Sequence, residues 1–170
     1  AGWHPKRAAG LILVDFAPDV AAAGRRNTAE RIGGQPDVFA SVDEALAYDG
    51  YAGEPAGSAR RARTEAFLQR TERGFVLRRD LAFRDSFRRA REAGQSPPVP
   101  AYLWPMLSNF SEPCLVIRAA RSDMFAPETL EKVREINPRA QVMELEGSHD
   151  LAGSNPTGLA SAVRAFLDRV

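Results

Sequence analysis

The sequence is poor in cysteine and lysine, and each shortage excludes some kinds of structure or binding partner. Cys114 is the only cysteine among 170 residues, so no internal disulfide can form, and a reducing, cytoplasmic compartment is predicted. Lys6 and Lys132 are the only lysines, and the formal net charge is +1. This balance gives no overall attraction to nucleic acid or to a membrane surface. Neither a metal nor a cofactor is predicted.

Long hydrophobic runs are also lacking. No apolar run approaches the roughly 20 residues that span a bilayer, and the first residues lack the apolar stretch of a secretion signal. The arginines between Arg60 and Arg91 alternate with acidic residues at helical spacing. This alternation favours an ion-paired, solvated helix face over a nucleic-acid surface. An arginine-rich nucleic-acid module, which would bind in a salt-dependent way, is therefore the least favoured interpretation.

What the sequence does contain is three short apolar runs rich in branched residues. The first is 8–14, and the others are 114–119 and 141–145. Runs of this length and composition are typical of strands in a parallel sheet that is covered on both faces. A helix opening at Pro127 separates the last two strands, because proline is tolerated at the first helical position. The chain also ends in a helix that begins near Pro156.

The middle of the chain has a different, mostly helical pattern. Four segments with helical spacing are separated by breaks that contain glycine or proline, and Gly74 and Gly94 stand where helix C-caps are expected. The four segments are 28–32, 42–48, 58–73 and 81–93. We therefore predict a core formed by residues 1–18 and 108–170, with a helical insertion at residues 19–107.

Titratable side chains follow the second and third predicted strands where each apolar run stops. Asp123 follows the second strand, and His149 follows the third. Parallel strands bring their carboxyl ends to one edge of a sheet, so this acid and this histidine are candidates for two thirds of a catalytic triad. Asp15 and Asp150 are competing acids. A triad also needs an activated nucleophile, usually within Gly-x-Ser-x-Gly, and the sequence contains no such motif.

The first predicted strand is hydrophobic throughout and has no charge, proline or other feature that protects an edge. Folded proteins normally cover, charge or shorten such an edge. Three doubly covered strands also make an incomplete sheet. We therefore expect that residues 1–170 are not a free-standing domain.

These segments resemble parts of the α/β-hydrolase fold family in its lid-bearing form, and the resemblance covers nearly the whole chain. Glu112–Asp123 is similar to the seventh strand and acid loop, and Gly147–Leu151 is similar to the loop after the eighth strand. His4–Asp15 resembles the stretch that leads into the sixth strand. The lid would occupy residues 19–100, and Phe39–Tyr48 is similar to a segment often seen within it. The implied fold class is α/β: the C-terminal part of a hydrolase sheet, with three strands and a helical lid.

The resemblance also implies catalytic roles. Asp123 would be the triad acid, ranked above Asp15 because the family's acid loop follows the seventh strand, and His149 would be the general base. The family's nucleophile and oxyanion hole come from strands one to five, which have no counterpart in this sequence. The predicted partner is therefore the N-terminal portion of the same fold. It could be a second chain or a piece processed from the same precursor. Alternatively, this chain could be a fragment of a longer protein that contains the missing portion.

The nucleophile decides the predicted reaction. A serine would imply hydrolysis of an ester, lactone, amide or carbon–carbon bond in a small, apolar substrate, with the aromatic residues of the lid shaping the pocket. An aspartate would imply epoxide or haloalkane hydrolysis. A third interpretation, from a different class, is a non-catalytic ligand-binding or regulatory subunit of the same fold.

Overall fold

The computed structural model describes residues 3–4, 7–95 and 99–170. The chain divides into two compact units. Unit 1 consists of Ala1–Arg25 and Pro98–Val170, and unit 2 consists of Arg26–Pro97. The predicted insertion, residues 19–107, is therefore wider at both ends than unit 2.

The described residues form strands and helices in the order β, three helices, two strands, two helices, then β, α, β and two helices. The strands are β1 (Leu11–Val14), β2 (Leu68–Thr71), β3 (Gly74–Leu77), β4 (Cys114–Ala119) and β5 (Gln141–Leu145). The helices are α1 (Ala22–Gly33), α2 (Val42–Tyr48), α3 (Ala59–Phe67), α4 (Leu81–Glu92), α5 (Leu103–Ser108), α6 (Pro127–Ile136), α7 (Leu151–Ser154) and α8 (Pro156–Leu167). No helix in the described ranges is long and apolar enough to cross a membrane.

The sheet of unit 1 has three parallel strands in the order β1-β4-β5. Leu11 pairs with Cys114 at the start of β1, and Leu115 pairs with Gln141 where β5 begins. This arrangement confirms the predicted three-stranded parallel sheet. Because β4 lies between the other two strands, the loops that follow β1 and β5 emerge on either side of its carboxyl end.

Every residue of β4 is buried, and alternate side chains enter the two halves of the unit 1 core. Val116 packs into one cluster with Phe125 and with Val133 of α6. Ile117 packs into the other cluster with Phe166 of α8. The continuous apolar run that predicted a doubly covered strand is thus explained by a helix on each face.

Helix α5 belongs to unit 1, although the sequence placed most of it in the insertion. The side chain of Asn137, at the end of α6, is buried. Its Nδ2 group donates to the carbonyl oxygens of Leu107 and Phe110, at 2.9 and 3.2 Å. Leu107 and Phe110 also pack into the same core cluster as Val116. These contacts explain why unit 2 ends before α5.

Unit 2 contains a β-hairpin where the sequence predicted a continuing helix. The predicted helix 58–73 begins as expected but ends at Phe67, and β2 and β3 follow as an antiparallel pair. Gly74 does not cap a helix. It opens β3 with φ +129, and a Cβ there would lie 2.5 Å from the carbonyl oxygen of Phe39. Gly94, with φ +64 just after α4, does lie at the predicted helix end.

Candidate active site

A histidine and an aspartate from the two outer strands of unit 1 meet at the carboxyl end of the sheet. Asp15 directly follows β1, and His149 lies in the loop after β5. The Oδ2 atom of Asp15 lies 2.7 Å from Nδ1 of His149. The Asp15 side chain is completely buried, whereas half of the His149 side chain is exposed. The pair therefore has one buried, fixed member and one member that solvent or a substrate can reach.

The carboxylate of Asp15 is fully hydrogen-bonded by the protein. Its Oδ1 atom accepts from the backbone N–H of Ala119, at 2.7 Å, and its Oδ2 atom accepts from the hydroxyl of Ser122, at 2.6 Å. Burial alone raises the pKa of the Asp15 carboxyl. The hydrogen bonds from His149, Ala119 and Ser122 outweigh that effect, so the pKa of Asp15 is held below its ordinary value. Asp15 is consequently a carboxylate at neutral pH.

A sharp turn at the end of β1 places this carboxylate. Asp15 has φ +47, a left-handed conformation that few residues other than glycine adopt, although aspartate tolerates it better than most. Its backbone N–H still donates to Ile117, at 2.7 Å, so β1 stays paired with β4 up to the turn. Strained backbone of this kind is concentrated at functional sites, where the surrounding structure holds it in place.

Asp123, the acid that the sequence ranked first, lies in an exposed part of the loop between β4 and α6. A neutral imidazole has one N–H hydrogen, and because the ionised Asp15 carboxylate can only accept, the short contact assigns that hydrogen to Nδ1, where it faces Asp15. The geometry thus favours Asp15, which the sequence ranked second. Asp150 has a different role, because its carboxylate caps α7 by accepting from the N–H of Gly153, at 3.0 Å.

The loop that carries His149 is held by side chains from the helices that follow it. The Ser154 hydroxyl accepts from the N–H of Ser148, at 3.0 Å, and Asn155 donates to the carbonyl oxygen of Glu146, at 2.8 Å. Gly147 has φ +145, and a Cβ there would lie 2.7 Å from the Ser154 hydroxyl. The loop therefore needs a glycine at this turn.

Sequence reasoning proposed His149 as the base and did not consider the residues that hold the Asp15–His149 pair. Ser122 and Ser154 belong to no recognisable sequence motif. Their roles are visible only in the hydrogen bonds that Ser122 makes with Asp15 and that Ser154 makes with Ser148. Asn155 had a usable signal, because asparagine directly before the proline that opens α8 is a good helix N-cap. No group of three or more potential metal ligands occurs among the described residues.

The pair has the arrangement of a general base with its orienting acid. With Nδ1–H held by Asp15, the Nε2 atom of His149 carries a lone pair and can accept a proton. The buried carboxylate would stabilise the imidazolium that then forms. A parallel sheet that delivers an acid and a histidine at its carboxyl end matches the C-terminal part of the α/β-hydrolase fold, and the chain has this fold.

Solved structures similar to this chain include several hydrolases and esterases. The chain is similar to E-2-(acetamidomethylene)succinate hydrolase, with 21% identity over 98% of this chain and 60% of the other, and a TM-score of 0.77. It is also similar to an esterase from Mycobacterium tuberculosis, with 22% identity over 98% of this chain and 57% of the other, and a TM-score of 0.70. An α/β hydrolase from Novosphingobium aromaticivorans matches all of this chain at 21% identity, with a TM-score of 0.70.

The chain spans about 60% of the length of these structures. No protein-family model matches the sequence, and no curated protein matches it. At such low identities the likeness establishes the fold alone.

Proposed function

We propose that this chain supplies the acid, the base and the lid of an α/β-hydrolase. His149 acts as the general base, Asp15 orients it, and the nucleophile comes from an N-terminal portion of the same fold. The observation that carries the proposal is the 2.7 Å contact between the buried Asp15 carboxylate and Nδ1 of the half-exposed His149. This geometry is what a hydroxyl nucleophile requires, because a hydroxyl attacks poorly unless a base removes its proton.

In the proposed mechanism, Nε2 of His149 takes the proton of the nucleophile as its oxygen attacks the substrate carbonyl carbon. The imidazolium is stabilised by Asp15, which stays ionised throughout. His149 then returns the proton to the leaving group, and an acyl-enzyme remains. Water attacks this intermediate in the same way, with His149 again accepting and returning a proton. The donors of the oxyanion hole would come from the N-terminal portion.

The substrate class that we favour is a carbonyl compound such as an ester or a lactone. Structures similar to this chain include an esterase, a thioesterase domain and an enol-lactonase. All three names describe acyl transfer to water through a carbonyl group. They support a serine nucleophile over the aspartate that epoxide or haloalkane hydrolysis would need.

Among the residues that the structure describes, β1 pairs only with β4, and its other edge supports the proposed partner. The backbone N–H groups of Leu11 and Asp15 donate to the carbonyl oxygens of Pro113 and Ile117, so those of Ile12 and Val14, which alternate with them, point to the other side. The side chains of β1 from Leu11 to Val14 are all apolar, and Val14 is 38% exposed. A further strand lying parallel to β1 would satisfy these backbone groups and extend the sheet.

The test uses the natural polypeptide that contains this chain, or the natural complex that the chain forms. Mass under native and then denaturing conditions identifies any second polypeptide. Hydrolysis is then measured with short and long p-nitrophenyl esters, a lactone and an epoxide. We expect ester or lactone hydrolysis that is lost in His149→Ala while the thermal midpoint changes little, because this side chain is half exposed.

Three results would overturn the proposal. One is substantial activity in His149→Ala, which would show that His149 is not the general base. Another is a partner portion with glycine or alanine at the nucleophile position, which would favour a ligand-binding or regulatory subunit. A third is hydrolysis confined to the epoxide, which would indicate an aspartate nucleophile.

A further inference from the structure

The loop after β4 contributes a hydroxyl to the site, through Ser122. The Oγ atom of Ser122 lies 2.6 Å from Oδ2 of Asp15. The same oxygen accepts from the backbone N–H groups of Met124 and Phe125, at 3.1 and 3.0 Å. A serine hydroxyl has one hydrogen and two lone pairs. With both lone pairs used by the loop, its hydrogen can go only to Asp15.

The position of this hydroxyl allows it to fix the orientation of the Asp15 carboxylate. Oδ2 of Asp15 faces both the Ser122 hydroxyl and the His149 ring, while Oδ1 faces the Ala119 N–H. Two fixed donors on β4 and its loop therefore determine how the carboxylate is rotated. Without the Ser122 contact, only the Ala119 N–H of these two donors would remain. The carboxylate could then rotate about its terminal torsion angle, because the energy barrier to that rotation is low.

We propose that Ser122 is a positioning residue of the hydrolase, which fixes the Asp15 carboxylate so that Oδ2 faces Nδ1 of His149. This inference rests on the proposed function. In the arrangement, β1 provides the acid and the loop after β4 provides the donor that holds it. The backbone of Met124 and Phe125 in turn fixes the donor, so the acid is coupled to the fold of the whole loop.

The kinetic test compares Ser122→Ala and Ser122→Thr with the control Ser161→Ala. Ser161 lies on the exposed face of α8. A hydrogen bond to a charged group, when lost, typically costs a factor on the order of 10 to 100. We expect Ser122→Ala to lower kcat by about that factor with little change in KM, because Ser122 acts on the base rather than on the substrate. Ser122→Thr, which keeps the hydroxyl, should restore most of the rate.

A double-mutant cycle separates positioning from general stability. If Ser122 acts through Asp15, then Ser122→Ala should cost much less in an Asp15→Asn background than in the wild type. Equal costs in the two backgrounds, or a change in KM alone, would overturn the proposal. Unchanged kcat in Ser122→Ala, in an enzyme that still depends on His149, would overturn the positioning role and leave the proposed function standing.

A readout without turnover keeps the inference testable if the proposed function fails. The titration of the Asp15 carboxyl carbon, followed by NMR in the intact protein, should move to higher pH in Ser122→Ala and return toward the wild-type value in Ser122→Thr. The Ser161→Ala protein should titrate like the wild type. An Asp15 titration that is identical in wild type and Ser122→Ala would refute the positioning role whatever the enzyme does.

Discussion

Asp15 and His149 are 134 residues apart in the sequence, yet Oδ2 of one and Nδ1 of the other are 2.7 Å apart. They meet because β1 and β5 both pair with β4, in parallel, and each loop turns back over the end of that central strand. The pair therefore forms only when all three strands are in register. A shift of either outer strand by one residue would point the side chains of that strand to opposite faces.

The identity of the acid is the first prediction. Asp15→Asn should lower kcat/KM for ester hydrolysis by a factor on the order of 10³ to 10⁴, because the ring loses the charge that fixes its tautomer. Asparagine suits this test, since it also tolerates the left-handed turn at position 15. Asp123→Asn is the matched control and should stay within about twofold of the wild type, as exposed substitutions usually do. The opposite ranking of the two variants would reassign the acid to Asp123.

The contribution of Asp15 to the stability of the chain should be lost in acid. The folded protein holds the pKa of Asp15 below its ordinary value of 3.8, so the carboxylate stabilises the fold above that pH, and this contribution disappears as the pH falls through the lowered pKa. Urea unfolding of wild type and Asp15→Asn should therefore differ most near neutral pH. Their free energies of unfolding should converge as the pH falls below the lowered pKa of Asp15. A difference that does not shrink in acid would contradict the role of the charge.

The edge of β1 gives a prediction about assembly. Val14→Pro removes a backbone N–H that points away from β4, and proline is accepted on an edge strand but not within a sheet. We expect it to abolish association with the N-terminal portion, measured by native mass. Val14→Ala shortens the side chain and keeps the N–H, so it should associate almost normally. Normal association of Val14→Pro would show that no strand pairs there.

Gly147 provides a test of the histidine loop. Alanine there meets both an unfavourable φ of +145 and the Ser154 hydroxyl, whereas Gly50 has φ +86 with nothing within 4 Å of an added Cβ. Gly50→Ala is therefore the matched control for backbone strain, about 1 kcal/mol. Gly147→Ala should cost more than that in urea unfolding and should also lower kcat, because the loop must move. Equal stability losses with normal kcat would argue against a positioning role for this turn.

Patterns within one segment were enough to predict much of unit 1. The strands 114–119 and 141–145 and the helix opening at Pro127 were predicted with the bounds that the structure has, since a continuous apolar run or a proline at a helix start is a local signal. The hairpin β2–β3 was missed because the polar residues of β2 continue the helical pattern of α3, and pairing with β3 overrides that local preference.

The sequence ranks Asp123 above Asp15 as the acid, whereas the geometry that favours Asp15 has no local sequence signal. Asp15 and Asp123 both follow a strand of the same sheet, and both could reach its carboxyl end. What separates them is the φ of +47 at Asp15 and the donors at Ala119 and Ser122, which turn its carboxylate toward His149. Those donors lie more than 100 residues away, so no local pattern reveals them.

Unit 2 enters the chain between Arg25 and Arg26, after β1 and Asp15. Every hydrogen-bond donor to the Asp15 carboxylate described above, from Ala119, Ser122 and His149, belongs to unit 1. Insertions, deletions or a wholesale exchange of residues within unit 2 would therefore leave the proton-handling pair with its own supports.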